Sequence, residues 1–299
     1  MRRICYARAV PKQAAKRRPT ISIIGPGNLG TALAVTLSAA GYKVHSIAIR
    51  RGSKGTRRAK ALARQIGAQI TEPGKRPLIS DIVWITVSDD SIAAVARALA
   101  KSGAWKGKIV LHSSGALTSD ELAPLRAKGA RVASVHPMMT FVHGAVPDMR
   151  GVAFALEGDG AAVRAARSIA KNLGANAFAI ERQNKVLYHV FGSFASPLVI
   201  ALLATMEEVA LAAGIRKREI KPVMFPLLWR TLQNYLKRDA AAAFSGPLAR
   251  GDVATVRKHL AALEKLPQAR EFYVAMARAA VETLPVRNRE TINRELGKL

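Results

Sequence analysis

The stretch I-S-I-I-G-P-G-N-L-G at residues 21–30 constrains the fold more than any other part of this chain. Residues 20–24 have the β-branched content of a short buried strand. Gly25, Gly27 and Gly30 then fall in G-x-G-x-x-G spacing, and residues 31–40 continue as an apolar helix. Gly25 permits a tight turn off the strand. Gly27, without a side chain, lets a pyrophosphate approach the backbone, and Gly30 lets the helix pack close to the strand. Asn28, Leu29 and Gly30 open the helix, where backbone N–H groups and the helix dipole favour phosphate. Glycines also mark ordinary turns, so the context matters: a strand precedes the motif, a helix follows, and a second strand comes on schedule.

That second strand, residues 42–49, ends in Arg50-Arg51-Gly52-Ser53. An NAD-binding chain usually carries Asp or Glu here for the ribose 2′-hydroxyl. No acid is present. Arg50, Arg51 and Ser53 suit a 2′-phosphate, because guanidinium offers a planar fork of donors to phosphate oxygens. NADP(H) is therefore the expected cofactor, in competition with a basic loop in a basic protein.

The chain has 299 residues, 49% of them hydrophobic, enough for two domains with separate cores. Its formal charge of +27 draws anions without specifying nucleic acid. Zinc-finger spacing and RNA-binding strand motifs are missing from the sequence, and aromatics at 5% leave few base-stacking platforms. We expect no specific nucleic-acid partner. The apolar run at residues 191–206 is cut by Pro197, so no stretch is expected to span a membrane. The single cysteine, Cys5, excludes an internal disulfide, and no metal motif is present. Residues 1–19 are basic and read as an extension outside the fold of a cytoplasmic protein.

From residue 20 to 181 strands and helices alternate. Strands are expected at 68–72, 81–87, 108–112, 131–135, 152–157 and 177–181. Helices are expected at 56–66, 92–100, 120–128 and 161–173, the second capped by Asp89 or Asp90 and the third by Thr118. This is an α/β fold: a Rossmann-like dinucleotide-binding domain with a largely parallel sheet. From residue 182 to 299 only helical patterns remain, at 184–214, 217–237, 252–265, 268–284 and 288–296. The first is apolar nearly all round, so it is buried in its own domain or by a second copy in a homodimer.

Candidate chemistry gathers at predicted strand ends. His136 follows one strand and can give or take a proton near neutrality; the alternative is a structural histidine in a loop ordered by Pro137. Ser113 and Ser114 follow another, and can orient a substrate or simply make a turn. Val87, Ser88 and Asp89 lie where a cofactor ribose would pass. Lys185, Tyr188 and His189 share one helix face at i, i+3 and i+4 spacing. Lys185 there is a candidate to polarise a carbonyl or meet a carboxylate, unless the first turn is merely solvated.

Taken together, these motifs resemble a known family. G-P-G-N-L-G at 25–30, V-S-D-D-S at 87–91, H-S-S-G-A-L at 112–117 and H-P-M-M-T-F at 136–141 are joined by K-V-L-Y-H at 185–189 and G-P-L-A-R-G-D at 246–252. The chain from about residue 20 is similar to bacterial Rossmann-like proteins with a DUF2520 domain, often labelled coenzyme F420-dependent NADP oxidoreductases. The resemblance implies a helical dimerisation domain like those of 6-phosphogluconate dehydrogenase and pyrroline-5-carboxylate reductase. The family often has an Asn where this chain has Ser196-Pro197. Arg250, in the G-P-L-A-R-G-D segment, can meet an anionic group or belong to a connecting turn. A more distant similarity to prephenate dehydrogenases implies roles for Ser114 and His136 on a substrate hydroxyl.

The leading expectation is an NADP(H)-dependent oxidoreductase acting on a small anionic carbonyl or hydroxy compound. In it His136 is the acid/base, Ser114 and Lys185 are its helpers, and Ser113, His189 and Arg250 flank the substrate. The alternatives are a non-catalytic NADPH-binding regulator and a prephenate-dehydrogenase-like enzyme.

Overall fold

The structure, a computed structural model, describes residues 17–50, 52, 55–75 and 77–297. Among them, strand and helix alternate through the first half: β1 (Ile21–Ile24), α1 (Asn28–Ala39), β2 (Val44–Ala48), α2 (Thr56–Ile66), β3 (Gln69–Thr71), β4 (Ile82–Ile85), α3 (Asp89–Ala100), β5 (Ile109–His112), α4 (Ala123–Arg126), β6 (Arg131–Pro137), β7 (Ala153–Gly158), α5 (Gly160–Asn172) and β8 (Asn176–Ala179). The eight strands form one sheet in the order β3-β2-β1-β4-β5-β6-β7-β8. All pairings are parallel except β6 with β7, where His136 stands opposite Ala155. β1 and β4 are buried along their whole length, as central strands covered by helices on both faces must be. The strand order reverses between β1 and β4, and open α/β sheets hold ligands at the carboxyl ends of such a pair.

Two local expectations need correction. Ser88, with extended backbone, takes the N-cap position of α3, so Asp89 and Asp90 lie in the first turn. Their charge still favours the helix start. The helix expected at 120–128 is split into a 3-10 turn, Ser119–Leu122, and α4. Pro124 has no N–H to donate and sits at the start of the new helix. Thr118 does cap the 3-10 turn, through Asp120 N–H. Buried Glu157 on β7 anchors that turn by accepting from Ser119 N–H at 2.7 Å and Ser119 Oγ–H at 2.8 Å.

The second half is helical: α6 (Lys185–Ala195), α7 (Pro197–Ala212), α8 (Lys217–Lys237), α9 (Ala240–Ala243), α10 (Pro247–Arg250), α11 (Val253–Ala262), α12 (Pro267–Thr283) and α13 (Arg289–Gly297). The helical stretch expected over 184–214, with Pro197 expected to kink or divide it, is divided at Ser196, whose backbone is non-helical, and Pro197 opens α7. Arg182–Ala212 has a mean hydropathy of 1.9 in its most apolar window. Contrary to the expectation, it is long and apolar enough as a whole to cross a membrane. The break leaves helices of 11 and 16 residues, each short of the roughly 20 that a bilayer requires.

The chain forms two compact units, the first ending at Phe194 and the second running from Ala195. The expected boundary was near Arg182. It falls later because α6 sends Lys185 and Tyr188 into the α/β unit, where both are buried. In the helical unit Val256, Val274, Val281 and Ile292 form a core from α11, α12 and α13. α8 differs: Trp229 is 56% and Leu236 79% exposed.

Candidate active site

The glycine turn takes the form its spacing predicts. Gly25 has φ +89°, a left-handed backbone that side chains disfavour. A Cβ on Gly30 would lie 2.4 Å from the Gly25 carbonyl oxygen, so only glycine permits this contact between α1 and the turn. Thr86 holds the same turn by donating from Oγ to the Gly25 carbonyl at 2.8 Å. A Cβ on Gly27, in contrast, would meet nothing within 4 Å. Gly27 opens on a cleft of about 410 Å³ at the ends of β1, β2 and β4, lined by Gly25, Arg50, Val87 and Ser88 among others. No side chain caps the start of α1, which leaves its N-terminus available to an anion. A pyrophosphate fits this arrangement, with exposed Arg50 on the same cleft. Arg51 and Ser53 lie outside the described residues.

Asn28 plays a part that spacing did not reveal. Its amide donates from Nδ2 to the Phe141 carbonyl at 3.0 Å, and its Oδ1 accepts from Arg58 Nη1 at 3.3 Å. Arg58 also meets His143 Nδ1 at 3.0 Å. The Asn28 side chain thus straps the segment after β6 to α1 and α2. Leu29 packs against the hydrophobic core, so these two residues offer a phosphate their backbone.

A second group of polar residues sits at the ends of β5 and β6. Ser114 is buried, donates from Oγ to Asp89 Oδ2 at 2.7 Å and accepts from Leu117 N–H at 2.9 Å. Lys185 is fully buried; its ammonium donates to Ser134 Oγ at 2.8 Å and to the Ser114 carbonyl at 3.3 Å. Desolvation lowers the Lys185 pKa, while Glu157 and Asp89 oppose the shift. Lys185 therefore braces the Ser114 segment instead of standing at an open surface. Ser113 is also committed, accepting from Trp84 Nε1–H at 2.8 Å. His112 is buried beneath, with Nε2 2.9 Å from the Thr118 carbonyl, and burial lowers its pKa to about 4.

His136 occupies the strand end where the sequence put it. Its Nδ1 lies 2.9 Å from the Tyr188 hydroxyl, and its ring meets that of His189 edge-on at 5.8 Å. Burial, with smaller contributions from His189 and Lys185, lowers the His136 pKa to about 4 against a weak opposing effect of Asp89. The ring is neutral at pH 7, which corrects the expectation of a group titrating near neutrality. Burial pushes the Tyr188 phenol up to about 12. His189 is exposed beside them. The structure thus gathers Asp89, Ser114, His136, Lys185 and His189 into one cluster. Arg250 is exposed at the end of α10 in the helical unit, in the turn that Gly246-Pro247 initiates. Sequence reasoning paired Tyr188 with Lys185 by helical spacing but gave it no role; no local signal pointed to the Asn28–Phe141 strap.

Comparison with known proteins agrees with this architecture. The family model of the Rossmann-like domain matches residues 9–137, and that of DUF2520, a domain of unknown function, matches residues 152–280. No curated protein sequence matches the chain. Among solved structures, a candidate NADP oxidoreductase from Bacteroides fragilis superposes with a TM-score of 0.73 at 19% identity, covering 87% of this chain and 97% of its own. A Thermotoga maritima protein gives 0.66 at 24% identity, covering 92% and 99%. An imine reductase from Myxococcus stipitatus in complex with NADP+ gives 0.63 at 19% identity, covering 94% and 100%.

Proposed function

We propose that this chain, whose two halves match the models of the Rossmann-like domain and of DUF2520, is an NADP(H)-dependent oxidoreductase. Its substrate is a small carbonyl or hydroxy compound. The observation that carries this reading is the cleft at the β1/β4 reversal, open at Gly27 and bordered by Arg50. The backbone at Gly25–Gly30 holds the pyrophosphate, and Arg50 holds the 2′-phosphate. The nicotinamide, when bound, supplies or accepts the hydride. His136 serves the substrate oxygen, and Ser114, fixed by Asp89 and Lys185, shapes the floor beside it. The anionic character expected of the substrate drew in part on Lys185; with that ammonium buried, exposed His189 is the group beside His136 left to meet a carboxylate.

A second copy of the chain completes the protein. Leu187 on α6 is 72% exposed, and α8 presents Trp229 and Leu236 to water. The helical unit also has an apolar cavity of about 600 Å³ among Leu202, Met206 and Phe272. Apolar surface on this scale marks an interface, and a homodimer covers it with the chain's own matching surface.

Calorimetric titration with NADPH and NADH tests the cofactor. NADPH binds, and Arg50→Ala weakens it about tenfold while leaving NADH unchanged, as loss of one exposed charge-assisted hydrogen bond predicts. Absence of binding by both nucleotides refutes the reading. His136→Ala retains NADPH affinity and loses turnover; undiminished turnover removes His136 from the chemistry.

A further inference from the structure

We infer that Tyr188 is a positioning residue that donates its phenolic proton to His136 Nδ1, fixing His136 as a neutral imidazole that presents an Nε2–H to the substrate oxygen. The inference deepens the oxidoreductase reading and rests on it for the substrate step. The arrangement of the ring itself is independent of that reading.

Geometry supplies the first support. The Tyr188 hydroxyl and His136 Nδ1 are 2.9 Å apart, so one of them carries the shared proton. The rings stand edge to face, 5.5 Å between centroids, which leaves the opposite edge of the imidazole clear of the phenol. That opposite edge faces Gly115. A Cβ there would lie 3.0 Å from His136 Nε2 and 2.5 Å from His189 Cδ2. A side chain at 115 would therefore crowd the Nε2 edge of the ring.

Electrostatics leaves both partners neutral. The groups around the ring are Tyr188, His189 and Lys185 on α6 and Asp89 on α3. A phenol held protonated by burial has a proton to share, and an imidazole held neutral by burial has one bare nitrogen to receive it, which the 2.9 Å contact assigns in this inference to Nδ1. With Nδ1 accepting, the single ring proton of neutral His136 is on Nε2.

The chemistry then follows. Addition of hydride to a carbonyl carbon leaves an anionic oxygen that needs one proton. The His136 Nε2–H bond breaks as the O–H bond of the alcohol forms. The Tyr188 O–H bond breaks as Nδ1–H forms, so the imidazole stays neutral throughout. The phenolate recovers its proton from water. In the direction of oxidation each transfer runs backwards, and water takes the proton. A C=N substrate that arrives already protonated needs hydride alone. The relay therefore selects the carbonyl/alcohol pair as substrate class.

The test uses the full chain labelled with ¹⁵N-histidine, without nucleotide or substrate. Long-range ¹⁵N–¹H correlation identifies the protonated ring nitrogen, and the His136→Gln spectrum assigns the ring. We expect His136 with its proton on Nε2 and an unprotonated Nδ1, neutral from pH 8 to 5. Tyr188→Phe should mix the two tautomers and raise the titration midpoint by roughly one pH unit, the equivalent of one hydrogen bond. A proton on Nδ1 in the parent chain, or a Tyr188→Phe ring identical to the parent in tautomer and midpoint, overturns the inference. Neither result depends on whether NADPH binds, so failure here is distinct from failure of the oxidoreductase reading.

Discussion

In the α/β unit the large side chains point inward: Trp84, Phe154 and Ile21 are sealed between sheet and helices. In the helical unit Leu236 and Trp229 face water, and Leu202 and Met206 line a cavity that their own unit leaves open. The physical difference is one of closure. Eight strands with helices on both faces can bury their apolar residues alone. A set of helices that is apolar on more than one side cannot. The sheet of the first unit has a closed interior of its own, while α8 of the second keeps large apolar side chains in water.

The comparison can be sharpened first by acid. Burial lowers the His112 pKa from 6.5 to about 4. As pH falls below 6.5 the unfolded chain takes up a proton at this ring that the folded chain refuses until about pH 4. The contribution is therefore whole above pH 6.5 and is lost across that window. The loss is on the order of 3 kcal/mol, to which His136 adds in the same direction. Denaturation midpoints at pH 7 and 4.5 measure it, and His112→Gln should flatten the profile. An unflattened profile would mean that the interior is less sealed than the structure indicates.

A smaller effect is expected from Gly30→Ala. Its methyl group would overlap the Gly25 carbonyl oxygen and Thr86 Oγ1, atoms that are fixed by backbone and by a hydrogen bond. Overpacking of this kind costs about 2 kcal/mol, read by urea unfolding, and NADPH affinity should fall with it. Leu236→Asp reverses the pattern. At an exposed site it should change the stability of the fold by less than about 0.5 kcal/mol. Placed in an interface it should halve the mass seen by sedimentation. A monomeric parent chain would break the comparison.

The fold was legible because periodicity and turn residues agreed along the chain: β1, the glycine turn and α1 each had a local signature, and α2 and α8 have the expected bounds. The carboxyl-end cluster was legible only by address. His136 and Ser114 were placed by strand ends, but the burial of Lys185, the Ser114–Asp89 bond and the Trp84–Ser113 bond join residues distant in sequence. Those contacts turned Ser113 and Lys185 from substrate groups into supports. The Asn28–Phe141 strap was invisible for the same reason, since the segment after β6 has no periodicity of its own.

The three tryptophans divide between the two regions. Trp84 donates to Ser113 inside the sheet, and Trp105 donates from Nε1 to the Leu99 and Ser102 carbonyls beside α3, while Trp229 stands on α8 in water. Two indoles are therefore insulated from solvent whatever the assembly state, and the third is not. The proposed homodimer therefore has an optical test built into the chain: if a second copy covers α8, emission should move to the red on dilution and back to the blue as copies meet, with no dye attached.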